Sequence, residues 1–263
     1  MNRKRLVLGA VGTAILTIYL VIASVYNTQP QSVFYKMEEV PAPLPGQRIL
    51  VFAPHPDDES IAVGGYLYTC HEVGAQVEVV LVTDGNRRGL RDKRYQEFKA
   101  AASHLGLETT DLRFWNYPDG RLSASLGPLT DQVREEISSF QPQIVVYSNR
   151  ADRHPDHATL GAAVEKVLGE GKLEVQPVGY AYLVHYQYYP RPALLSRQHH
   201  LLPPKSAAHA DESWEKFSLS PEAREAKYEA IHCYSSQLRN PLLKHLFTGL
   251  LQDNELLSRD QLI

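Results

Sequence analysis

Short apolar runs that alternate with segments of helical period restrict this chain more than any other feature. Arg48–Ala53, Gln76–Thr83, Asp111–Trp115, Gln143–Ser148 and Val178–Val184 read as strands, several of them apolar on both faces. Between them, Glu59–His71, Asp92–Leu105, Leu129–Phe140 and Asp156–Leu168 carry helical signals, with Gly106 at a C-cap position and Pro142 as a stop. Strands and helices in alternation predict an α/β fold, a mostly parallel sheet with helices on both faces. Ligands of such sheets bind beyond the carboxyl ends of the strands. The part after Val184 is less regular: a tyrosine-rich stretch (Tyr180–Tyr189), a loop (Pro190–Pro204) and a helix (Pro221–Tyr234).

The 263 residues suffice for one large domain, and 43% hydrophobic with 22% charged residues is an ordinary packed composition. A net charge of −3 gives no basic surface, so nucleic acid is not an expected partner. No G-x-G-x-x-G follows the first strand and no G-x-S-x-G elbow is present, which argues against a dinucleotide site and a serine hydrolase. Cys70 and Cys233 lack metal or redox spacing and read as unpaired thiols.

The N-terminus differs in kind. Arg3, Lys4 and Arg5 precede an uncharged, mostly apolar run from Leu6 to Val25, about one bilayer core in length as a helix. Residues 1–26 are therefore predicted to be a transmembrane anchor, with cleavage and secretion as the alternative. The basic flank places the following domain on the outer, periplasmic or extracellular side. Pro30, Pro41, Pro43 and Pro45 make residues 27–47 a linker, and residues 48–263 the domain.

Two motifs sit at predicted strand ends. Ala53-Pro-His-Pro-Asp-Asp-Glu59 follows the first strand and Arg153-His-Pro-Asp-His157 follows the fourth. Each has a histidine and a second ligand-type residue three positions on, a spacing that places both on one face of a helix or turn. His55, Asp58 and His157 can together hold zinc and leave a fourth position for water; Fe(II) suits the same two-histidine, one-carboxylate set. Asp57 is then free to act as general base. His154, as an imidazolium oriented by Asp156, would steady a developing oxyanion.

These motifs resemble the A-H-P-D-D-E and H-P-D-H signatures of the LmbE-like, or PIG-L, N-acetylglucosaminyl deacetylases, and the resemblance runs from Arg48 to about Gln237. It implies a Rossmann-like fold, a zinc ion and removal of an acetyl group from an N-acetylated sugar of a glycan, glycolipid or glycoconjugate. It assigns the metal to His55, Asp58 and His157, the base to Asp57, the oxyanion role to His154, and substrate binding to Arg94 and Asp119. Gly64-Gly65, Thr83-Asp84-Gly85, Lys227 and Ser236-Gln237 also resemble family positions. Two residues depart from the pattern: Pro54, and Asp152 where some members carry a tyrosine. The stretch Tyr180–Tyr189, which includes His185, is where a replacement for that tyrosine would be sought. Two other readings keep the fold: a metal-dependent esterase or amidase on a non-sugar substrate, and a non-catalytic carbohydrate-binding module. Retention of Asp57 argues against the last, because neither zinc nor sugar binding needs a base.

Overall fold

The computed structural model describes residues 11–18, 21, 29–191, 200–207 and 212–260. Seven strands form one sheet: β1 (Arg48–Ala53), β2 (Gln76–Thr83), β3 (Leu112–Tyr117), β4 (Ile144–Ser148), β5 (Val178–Tyr182), β6 (Glu212–Ser218) and β7 (Asn254–Asp260). Their order is β3-β2-β1-β4-β5-β7-β6. The first five are parallel, and β7 runs antiparallel to both β5 and β6. Helices α1 (Asp58–Glu72), α2 (Arg91–His104), α3 (Leu126–Phe140) and α4 (Pro155–Gly169) are the crossovers and post-strand helices predicted from the apolar pattern. Helices α5 (Pro221–His232), α6 (Ser235–Leu238) and α7 (Pro241–Leu250) precede the last strand.

Side chains alternate across a strand, so the apolar runs feed two cores. Ile49, Val51, Val79 and Leu81 pack with Ile61, Leu67 and Phe98 of α1 and α2. Leu50, Phe52, Val80 and Val82 pack with Leu129, Val133, Leu160 and Val164 of α3 and α4. Each fully buried aliphatic side chain contributes about 1.5–3 kcal/mol, which makes this central register hard to shift. The chain leaves β1 toward β2 on one side, while β4 pairs with β1 on the other, Val51 opposite Val146. The ends of β1 and β4 thus flank the point where strand order reverses, the crevice in which ligands of open α/β sheets bind.

Helix α1 bends at Val63 (φ −136°, ψ 24°), and the bend explains Gly64-Gly65. The N–H groups of Gly65 and Tyr66 donate to the Glu255 carboxylate of β7, both at 2.8 Å. Lys227 of α5, fully buried, pairs with the same carboxylate at 2.7 Å and lays its stem on Gly64. Leu219 lies on Gly65, where an added Cβ would meet its Cδ2 at 2.4 Å. Gly65→Ala is therefore expected to cost about 1–3 kcal/mol by overpacking. Urea unfolding would show it as a lower midpoint at unchanged slope; an unchanged midpoint would mean that Leu219 yields freely.

One expectation is corrected here. Among the described residues no helix is long and apolar enough to cross a membrane. Residues 11–18 are helical, about 12 Å at 1.5 Å per residue against a bilayer core of about 30 Å. The rest of the run from Leu6 to Val25, Val21 apart, lies outside the described residues. The membrane anchor, and with it the placement of the domain on the outer side, is not borne out. The proline-rich segment has contacts of its own. Residues 29–47 dock on the domain: Gln31–Lys36 form a 3-10 turn, Val40 N–H donates to Lys216 C=O at 2.8 Å, and Lys216 N–H to Glu38 C=O at 2.9 Å. Cys70 and Cys233 are free thiols.

Candidate metal centre

The motif after β1 folds as a tight turn into α1. Asp58 opens the helix, and its Oδ2 reaches back to the His55 N–H at 2.9 Å, which closes the turn. The same oxygen lies 3.2 Å from His55 Nδ1 and 3.1 Å from His157 Nε2. His55 Nδ1 and His157 Nε2 are themselves 3.2 Å apart. Three ligand-type atoms from two strand ends thus form a nearly equilateral, buried triangle. A tetrahedral ion with bonds of about 2.0–2.1 Å needs ligand atoms about 3.3–3.4 Å apart, so the triangle fits zinc with little adjustment.

The electrostatics point the same way. Asp57, Asp58, Asp119, Asp152 and Asp156 converge on two imidazoles, His55 and His157, and the Arg94 guanidinium, an excess of buried negative charge that a cation would offset. Burial opposes charge on Asp58, but His157 and His55 outweigh it and hold the carboxyl well below the usual range. Burial likewise opposes charge on His55 and His157. Asp156 and Asp58 nevertheless raise His55 to about 9, and Asp58 and Asp152 raise His157 well above the usual value.

Carboxylates behind the triangle aim its imidazoles. Asp156 Oδ2 sits 3.2 Å from His55 Nε2 and is fixed by the Gly120 N–H at 2.7 Å, while its Oδ1 accepts from Leu122 N–H at 3.0 Å. Asp156 was expected to orient His154; instead its carboxylate serves His55. Only its backbone N–H reaches His154, at 3.3 Å from Nδ1. The loop after β3 causes this, since its two N–H groups hold the carboxylate on that side. Asp152 stands 3.4 Å from His157 Nδ1 and accepts the N–H groups of His154, Val184 and His185. The residue that departs from the family pattern is thus a buried anchor for two segments of the site, the start of α4 and the chain after β5.

Asp57 lies beside the triangle and not in it. It has φ 133°, a region in which non-glycine residues are strained and which is concentrated at functional sites. Two contacts hold it there: its N–H donates to Glu59 Oε2 at 3.2 Å, and its Oδ2 accepts from Arg94 at 3.0 Å. Glu59 is fixed in turn by Ser60 at 2.6 Å and by the Tyr234 hydroxyl. Burial raises Asp57 to about 7, against the pull of Arg94. Arg94 also donates to Pro56 C=O at 2.6 Å and faces Asp119 at 3.7 Å, while Asp119 lies 3.5 Å from His55 Nε2. The expected imidazolium at His154 is disfavoured: burial, with His55 and His157 adding to it, lowers that group to about 4.

All eight residues singled out from the sequence lie in this one site. The C-terminal residues do not read out from spacing. His185, Tyr234, Ser236 and the α7 side chains Leu243, Leu246 and Phe247 reach the site through tertiary packing. Ser236 is held by Glu97 of α2, its N–H at 2.8 Å. A cavity of about 360 Å³ adjoins the triangle at His55, and Asp57, Arg94, His154, Arg87 and Arg88 are among its other lining residues.

Residues 50–168 match the family described as GlcNAc-PI de-N-acetylase, PIG-L. The probable N-acetyl-alpha-D-glucosaminyl L-malate deacetylase 2 of Bacillus cereus is 28% identical over 149 residues, 51% of this chain and 67% of that one. The diacetylchitobiose deacetylase of Thermococcus kodakarensis is 30% identical over 132 residues, 44% of this chain and 46% of that one. The chain thus spans about two thirds and under half of these relatives' lengths. Among solved structures, the zinc inhibited form of teicoplanin deacetylase Orf2 has the same fold, with a TM-score of 0.61 at 20% identity over 82% of this chain and 99% of that one. The chain carries a domain of the PIG-L, or LmbE-like, family over residues 50–168.

Proposed function

We propose that the protein is a metal-dependent hydrolase that removes an acetyl group from an N-acetylated sugar. The observation that carries this reading is the arrangement of Asp57: a buried carboxylate with a raised pKa, beside a complete ligand triangle and outside it. His55, Asp58 and His157 would hold zinc, with Fe(II) as the alternative ion. When bound, the ion polarises the amide carbonyl and acidifies a water. Asp57 takes the proton of that water, and Arg94 keeps its carboxylate aimed. His154 accepts the Asp156 N–H at Nδ1, so its neutral ring carries the proton on Nε2 and donates from there to the carbonyl oxygen as charge develops. Asp119 and Arg94, which line the cavity, would meet sugar hydroxyls. Asp57 then passes the proton it took to the amide nitrogen, which leaves as an amine, and the acyl carbon, now bonded to the water oxygen, departs as acetate.

Two relatives, named as an N-acetyl-alpha-D-glucosaminyl L-malate deacetylase and a diacetylchitobiose deacetylase, support the substrate class. The test is acetate release from N-acetylglucosamine, diacetylchitobiose and glycosides of N-acetylglucosamine with zinc or Fe(II) supplied. Protein that binds the ion but releases acetate from none of them overturns the reading. Faster turnover of O-acetyl than N-acetyl sugars would move it to the esterase class.

The cavity also suggests what lies beyond the sugar. Arg87 and Arg88 are exposed at its rim, and Leu243 and Leu246 of α7 line it as well. The double variant Arg87→Ala, Arg88→Ala is expected to raise KM for a glycoside with an anionic aglycone by about 5- to 30-fold, at about 0.5–1 kcal/mol per arginine. KM for a neutral glycoside should stay, and the difference should shrink in high salt.

A further inference from the structure

His185 has no part in the reaction described above, yet its position is built. It follows the end of β5, the strand beside β4. Its N–H donates to Asp152 Oδ2 at 2.9 Å, and its C=O accepts from Arg153 N–H at 2.7 Å. The preceding residue, Val184, donates to the same Asp152 oxygen at 3.0 Å. Both backbone groups of His185 are thus tied to the loop that carries His154 and His157. Its ring stands 4.8 Å from the His157 ring and 5.4 Å from the His154 ring, and it lines the cavity with His55, Asp57 and His154.

We propose that His185 is a further catalytic residue, an imidazole N–H that donates, together with His154, to the amide carbonyl oxygen of the substrate. The inference rests on the deacetylase reading. A ligand-type atom of His185 comes within 4.8 Å of those of Asp58 and His157, but it stays outside the 3.1–3.2 Å triangle that His55 completes. His185 thus borders both the triangle and the cavity without being one of the three atoms that form the triangle. The base position is taken by Asp57 on the α1 side, held there by Arg94, whereas His185 approaches from the β5 side. Two donors converging from separate strand ends suit an oxygen that gains charge, with two lone-pair directions to fill. No bond to His185 forms or breaks, and its proton stays on the ring.

The test compares His185→Ala and His185→Gln with the unaltered protein. Both should keep the full metal content per chain, since His185 is not a ligand. His185→Ala should lower kcat about 100-fold with KM nearly unchanged, the pattern of a donor that acts in the transition state. His185→Gln, which keeps an N–H at similar reach, should recover about tenfold. Calorimetry of acetohydroxamate on the zinc-loaded proteins gives a readout apart from turnover: binding should weaken at least tenfold in His185→Ala. Unchanged kcat overturns the proposal, as does metal loss from a folded His185→Ala, or hydroxamate binding equal to the unaltered protein. If the unaltered protein releases no acetate from any sugar, the deacetylase reading fails, and the hydroxamate arm alone then decides His185.

Discussion

Asp57→Asn is expected to keep its metal and lose about 10²- to 10⁴-fold in kcat, the usual contribution of a positioned general base. Asparagine is nearly isosteric, so the turn from His55 to Asp58 and the triangle behind it should persist. What it cannot do is take a proton. The change also separates an enzyme from a binding module of the same fold, because sugar affinity should change little. The pH profile adds a second, independent signature. The base works deprotonated, and burial raises Asp57 to about 7 while Arg94 opposes the shift. A bound cation also favours the carboxylate. In the unaltered protein kcat/KM should therefore rise with pH along an acid limb centred at or below about 7, and Asp57→Asn should lack that limb. The measurement is acetate release across pH at constant metal occupancy. Full activity in the variant, or an unchanged limb, would remove Asp57 from the mechanism.

The parts of the structure that could be read from the sequence were those that local chemistry controls. Runs such as Ile49–Ala53 and Ile144–Ser148 have no polar face, so burial in a parallel sheet is the stable arrangement, and in the structure β1 and β4 lie side by side. Once those strands pair, His55, Asp58 and His157 meet at their ends, because each motif follows its strand within a few residues. What spacing does not carry is which neighbour a side chain turns to. Asp156 lies two residues from His154, but its carboxylate is claimed by the N–H groups of Gly120 and Leu122 and faces His55. Asp152 looked like a missing tyrosine, whereas its value comes from accepting N–H groups 2 to 33 residues away. The antiparallel pair β6 and β7 escaped notice for a related reason. Strand β7 contains Asn254, Glu255 and Ser258, polar residues that a buried strand tolerates only because Leu201, Lys227 and Asn149 satisfy them. The apolar run near the N-terminus departs the other way: its length, hydropathy and basic flank read as a membrane span, while the described residues include no helix that can cross a membrane.

Chelation of the metal is expected to abolish turnover and to lower the melting temperature, and the size of both effects should depend on pH in a set direction. Without an ion, His55 at about 9 and His157 well above the usual value are both imidazolium at neutral pH, facing Asp58, which is held well below the usual carboxylate range. Protons thus stand in for the ion. A histidine whose folded value is raised stabilises the fold fully below the unfolded value of about 6.5, and that contribution is lost as pH rises through about 9. Asp58 acts with the opposite sense, contributing above about 4 and losing it as pH falls through its lower folded value. The chelated protein should therefore be most stable from about pH 4 to 6.5 as far as these groups are concerned, and should weaken toward pH 9. Zinc uptake must displace one proton from each imidazole, so its affinity rises with pH. Calorimetry in two buffers of different ionisation enthalpy would read that release. At a free zinc concentration about 1,000 times Kd the ion adds about 4 kcal/mol, or roughly 8–16 °C in melting temperature for a chain of this size. Reloading with zinc should restore both properties together, since one set of three atoms holds the ion for stability and for chemistry. A chelated protein with unchanged turnover and melting temperature would mean that the triangle is a proton-held cluster and that the chemistry lies elsewhere.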